Sequence, residues 1–152
     1  MKKEPRWKFF IREMNYWIGR VKLPQSVQCV RDNRINSCLC VDDWDKGQGI
    51  LRYNVYRLGH VPECYFYSCL FHELGHLINK LPYGTDKERE QSEFKAEQYS
   101  CTMLKKHFPR EYKRMLLRMT KMKSMLVMKK KEPLYYRAFI RIRDYKKTME
   151  VN

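Results

Sequence analysis

Two histidines one helical turn apart, inside an apolar run bounded by prolines, constrain this chain more than any other feature. They stand in His72-Glu73-Leu74-Gly75-His76. On a helix, positions i and i+4 share a face, so both imidazoles can reach one cation. Glu73 follows the first histidine directly, near enough to take a proton from a metal-bound water without being a ligand. The surroundings predict a helix. Val61-Pro62-Glu63 supplies a proline near its start and a carboxylate in its first turn. Tyr65, Phe66, Cys69, Leu70, Phe71, Leu74, Leu77, Ile78 and Leu81 give it apolar character, and Pro82-Tyr83-Gly84 stops it. Gly75 costs a helix interior about 1 kcal/mol relative to alanine. Its presence predicts that a neighbouring strand or a substrate comes close there. The chain has only 4 histidines, and two of them are in this motif.

A zinc hydrolase needs a third protein ligand and an open position for water. The metzincin solution places glycine and histidine three and six residues after the second histidine; Asn79 and Pro82 stand there instead. The gluzincin solution takes a glutamate from a second helix. Ser92 to Leu104 fits, with Phe94, Cys101 and Leu104 at near-helical spacing and Ala96 and Tyr99 beside them. Glu93 is the expected ligand, with Glu88, Glu90 and Glu97 as alternatives. Glu97, one turn from Glu93, is expected to accept the other N–H of a ligand histidine and so fix its tautomer. The expected centre is therefore Zn2+ on His72, His76 and Glu93, with Glu73 as catalytic base.

His-Glu-Leu-Gly-His followed by Glu-Phe-Lys-Ala-Glu-Gln-Tyr-Ser-Cys-Thr-Met-Leu resembles the ImmA/IrrE family of gluzincin-like peptidases, over about residues 48 to 108. The resemblance implies a cytoplasmic zinc metallopeptidase that hydrolyses a peptide bond in a protein substrate. Family members act on helix-turn-helix repressors of mobile elements or stress regulons. It also implies an edge strand just before the active-site helix, to which a peptide can add; Ile50–Tyr56 is the candidate. Such sites add a histidine or tyrosine as a second oxyanion donor, and Tyr83, Tyr99, His107 and Tyr112 all remain open for that role.

The rest of the chain predicts an α+β fold, which the resemblance implies is a minimal zincin-like domain over 1–108, followed by a basic, mainly helical extension over 109–152. Trp7, Phe10, Ile11, Met14, Trp17 and Ile18 recur at helical spacing and mark a core helix over 6–20. Val27–Val30, Ser37–Val41 and Ile50–Tyr56 are strand candidates, the last by alternation. Asp42 to Gly49 reads as a turn-rich solvated loop. The 6 cysteines include no Cys-x-x-Cys pair, and without an export signal at the basic N-terminus they are expected to be reduced. No apolar run is long enough for a membrane span, so no membrane partner is expected.

Charge is uneven. Residues 105–152 carry 16 Lys and Arg against 4 Asp and Glu. Arg110–Lys131 reads as one long helix whose stripe of Met115, Leu116, Met119, Met122, Met125 and Leu126 packs into the core. After Pro133, Tyr135, Tyr136, Phe139, Ile140 and Ile142 are interleaved with Arg137, Arg141 and Arg143, as a helix or a strand. Basic and aromatic residues together suit phosphate contacts and base stacking, so nucleic acid is a candidate partner alongside a protein substrate. Two other readings fit the sequence: a SprT-like protease acting on DNA-associated proteins, and a non-catalytic zinc domain that binds nucleic acid or a partner.

Overall fold

The computed structural model describes the backbone of residues 3–42, 44 and 49–150, and their side chains up to residue 142. Asp43, the loop residues Asp45 to Gln48 and the side chain of Arg143 lie outside the described residues. The fold is α+β. Helix α1 (Arg6–Arg20) leads to strands β1 (Val27–Arg31), β2 (Leu39–Asp42) and β3 (Gly49–Tyr53). The helices α2 (Val55–Leu58), α3 (Glu63–Asn79), α4 (Asp86–His107), α5 (Pro109–Met119), α6 (Met122–Lys131) and α7 (Pro133–Glu150) follow.

The sheet order is β1-β3-β2, with β1 parallel and β2 antiparallel to β3. This corrects the expectation for Ile50–Tyr56. β3 is the central strand, and β2 is the edge beside the motif helix. The alternation of Ile50 to Tyr53 reports which face is buried; it carries no information on whether one neighbour or two pair with the strand. The strand also ends early, because Asn54 caps α2. Its side-chain oxygen accepts from the backbone N–H of Tyr56 and Arg57, at 3.0 and 3.2 Å. Its amide donates to the carbonyls of Asn33 and Ile35, fastening the β1–β2 loop. On the sheet's outer face, Arg52 pairs with Asp42 at 2.5 Å and with Asp32 at 3.5 Å. On its inner face, Leu39, Val41 and Leu51 are buried against the helices.

Aromatic side chains fill the space between α1, α3 and the start of α5. Phe10 stacks on Phe66 at 4.2 Å between ring centroids, and Trp17 meets Phe71 edge-on at 5.0 Å. Tyr67 stacks on Phe108 at 4.0 Å and donates to Glu13 at 2.7 Å. The core helix expected over 6–20 thus buries Phe10, Met14 and Trp17. Among the described residues no disulfide is formed, and no helix is long and apolar enough to cross a membrane.

The C-terminal third departs from its expected form in one respect. Arg110–Lys131 is broken at Lys121, which is extended (φ −62°, ψ 134°). No glycine or proline marks the break; Thr120 instead bonds its hydroxyl back to the Leu116 carbonyl at 2.7 Å. The stripe is divided there. Met115, Leu116 and Met119 face inward, whereas Met122 and Leu126 are 79% and 61% exposed. The segment after Pro133 is a helix, and it packs along α4.

Candidate metal centre

The site is built on the hairpin of α3 and α4. Pro62 caps α3, its fixed φ of −71° preorganising the first turn, and Glu63 supplies the acidic residue there. The helix ends at Asn79, earlier than Pro82 alone requires. A residue preceding proline is driven from helical angles, and Lys80 turns the chain in a left-handed conformation (φ 49°). α4 opens with a full capping box between Thr85 and Glu88.

The two helices run antiparallel and nearly touch. Ser100 donates to the Ser68 carbonyl at 2.9 Å. Further along the hairpin, a Cβ placed on Gly75 would lie 2.8 Å from both the Cα and the carbonyl oxygen of Ala96. Gly75 is therefore needed for backbone contact with α4, rather than with a strand or a substrate. The small side chains of Ser92, Ala96 and Ser100, spaced by four, form the facing stripe on α4.

This approach brings the expected ligands together. His72, His76 and Glu93 each offer a ligand atom, all within 4.8 Å of one another. His72 Nε2 lies 2.9 Å from Glu93 Oε2, and His76 Nε2 lies 3.6 Å from Glu93 Oε1. The other imidazole nitrogens are also engaged. His72 Nδ1 is 3.0 Å from Glu97 Oε2, the role expected of Glu97, and His76 Nδ1 is 3.0 Å from the Ser92 hydroxyl. Glu93 and Glu97 stand about one turn apart, about 6 Å along the axis, and so straddle the His72 ring. The other glutamates considered as ligands have different work. Glu88 closes the α4 cap, and Glu90 pairs with Arg137 at 3.0 Å.

Glu73 reaches the other way. Its Oε2 accepts the backbone N–H of Val41, on the edge strand β2, at 2.8 Å. Burial raises its pKa, against the pull of His72, His76 and that hydrogen bond. Burial also opposes ionisation of Glu93, but hydrogen bonds and charge from His72 and His76 win and hold its carboxyl well below the usual range. Burial likewise disfavours charge on His72, yet the carboxylates of Glu93 and Glu97 push its pKa well above the ordinary value. An imidazole held between two carboxylates invites a positive charge at Nε2. A proton can supply it, and so can a divalent cation. The donor set of two nitrogens and one carboxylate suits zinc. The side chains of His72 and Glu93 keep 13% and 12% exposure, so solvent reaches the ligands.

Of the four aromatic candidates for a second donor, the structure brings Tyr83 to the site, where its hydroxyl donates to Glu93 Oε1. His107 packs on Trp17 at 5.0 Å, and Tyr99 and Tyr112 pack against the hydrophobic core. Three further contributors escape the sequence reading. Trp44, in the loop after β2, stacks on His76 at 4.7 Å and donates to the Leu81 carbonyl at 3.1 Å. Ser92 had a signal: in an antiparallel hairpin, the partner of His76 must lie about one turn before that of His72. Tyr135 of α7 donates to Glu97 Oε2 at 3.0 Å, and nothing local to its segment announces it.

Fold and site together define an α+β protein with a His72, His76 and Glu93 group able to hold a metal ion. No known protein family, curated protein or solved structure matches this chain.

Proposed function

We propose that the chain is a zinc-dependent metallopeptidase, gluzincin-like in its ligands and akin to the ImmA/IrrE peptidases, acting on a polypeptide substrate. The observation that carries this reading is the convergence of His72, His76 and Glu93 beside a half-buried Glu73 that is not among the three. A purely structural zinc site has no use for a second carboxylate beside that of Glu93, one whose desolvation makes it a better base. Zinc held there would supply Lewis acidity and a water with pKa near about 7. The protein's own groups do the rest. Val41 holds one oxygen of Glu73, leaving the other to take the water's proton and pass it to the leaving amine. Glu97 and Ser92 hold the two imidazoles with Nε2 turned inward. Tyr83 donates to Glu93 and is the aromatic candidate whose hydroxyl reaches the ligand set, which supports it as the second donor.

The test pairs elemental analysis with hydrolysis of a quenched fluorescent peptide library. Wild type should hold about one zinc per chain and cleave. Glu73→Gln should keep the zinc and lose about 10²- to 10⁴-fold in turnover. Full turnover in Glu73→Gln removes Glu73 from the base role, and a folded wild type purified without chelator that holds no zinc removes the whole reading.

A further inference from the structure

We propose that Tyr135, on the C-terminal helix, is a positioning residue of the metal centre, acting on His72 through Glu97; this rests on the metal-site reading above. Glu97 is 3% exposed, and a buried carboxylate needs strong donors to stay where it is. Its Oε2 has two, His72 Nδ1 at 3.0 Å and the Tyr135 hydroxyl at 3.0 Å, while Oε1 has the weak Cys101 thiol at 3.8 Å. The Tyr135 ring also meets the His72 ring at 5.6 Å, tilted by 70°. One tyrosine thus fixes the carboxylate and walls the imidazole that this carboxylate aims.

Tyr135 is there because α7 is docked along one face of α4. Arg137 pairs with Glu90 at 3.0 Å, Arg141 donates to Gln91 at 3.3 Å, and the Arg141 guanidinium covers the Phe94 ring at 4.2 Å. Ala138, Phe139 and Ile142 are buried beneath. Two of the arginines that made this segment a candidate for phosphate contacts are therefore spent on holding it to α4. Linkage follows: an ion that favours the aimed His72 favours the docked α7, and docking of α7 raises affinity for the ion by the same factor.

The experiment uses the full chain with Tyr135→Phe, which keeps the ring and deletes the hydroxyl. Zinc affinity is read by competition with a chromogenic chelator, and ligand geometry by the visible absorption of the Co(II) form. Removing outer partners of a ligand histidine typically costs 10- to 100-fold in affinity; for a group acting through such a partner we expect about 3- to 10-fold, with a changed Co(II) spectrum. Tyr136→Phe, one residue on, should change neither. In a Glu97→Ala background, which deletes the shared acceptor, Tyr135→Phe should add no further loss, since its route to the metal is gone. Affinity within about twofold of wild type with an unchanged Co(II) spectrum, or a loss that adds fully to that of Glu97→Ala, overturns the proposal. A wild type that binds neither ion overturns the metal-site reading, and this inference with it.

Discussion

The α3–α4 and α5–α6 pairs are both helices joined by short links, and they are built on opposite principles. In α3–α4 the backbones touch at Gly75 and Ala96, and buried polar groups meet partners: Ser100 with Ser68, Ser92 with His76, Glu97 with His72. In α6 no residue is fully buried, and Met122, Leu126 and Val127 lie on the outside among lysines. The first pair is over-determined, so that small changes displace a ligand. The second has room to absorb change. Precision in this molecule is local to the hairpin that carries His72, His76 and Glu93, the group able to hold a metal ion.

Substitutions on the two pairs can break that contrast. The largest effect should come from Glu93→Ala, which removes one of the three converging ligands; elemental analysis should find zinc lost or reduced to substoichiometric traces, while Glu90→Ala keeps it. Next is Gly75→Ala. Helix propensity alone would make it stabilising by about 1 kcal/mol, but its methyl meets Ala96 backbone. Denaturant titration should instead show a net loss of about 1–3 kcal/mol, together with weaker zinc binding. Ser92→Ala should weaken zinc by roughly 10-fold in a chelator competition, because His76 Nδ1 loses its partner. The smallest effect should be Leu126→Lys on α6, within about 0.5 kcal/mol of wild type and with zinc binding unchanged. A large loss from Leu126→Lys, or none from Gly75→Ala, would erase the distinction.

The hairpin is also the most legible part of the sequence, for the same reason. A motif that must place two imidazoles on one helix face leaves a fixed spacing, and the glutamates one turn apart on the second helix do too. Gly75 announces a close approach, although not its partner, since a missing side chain does not say what fills its place. The order of the strands is harder. Pairing on one side or on both leaves the same alternation, so nothing in Ile50 to Tyr53 distinguishes an edge from the central position that β3 holds. The break at Lys121 leaves no glycine or proline behind; it depends on Met119 finding the core while the next turn does not. Trp44 and Tyr135 reach the site from about 30 residues before His76 and about 40 after Glu97, and long-range placement of that kind is a property of packing that no local pattern records.

The contact at Gly75 has a consequence for how this protein can change over generations. The atoms that a new side chain at 75 would strike are the main-chain Cα and carbonyl of residue 96, not the methyl of Ala96. No second substitution at 96 can therefore compensate for a first at 75, because every amino acid brings the same main chain. The lineage can leave glycine only by shifting the whole of α4, and Glu93 would travel with it.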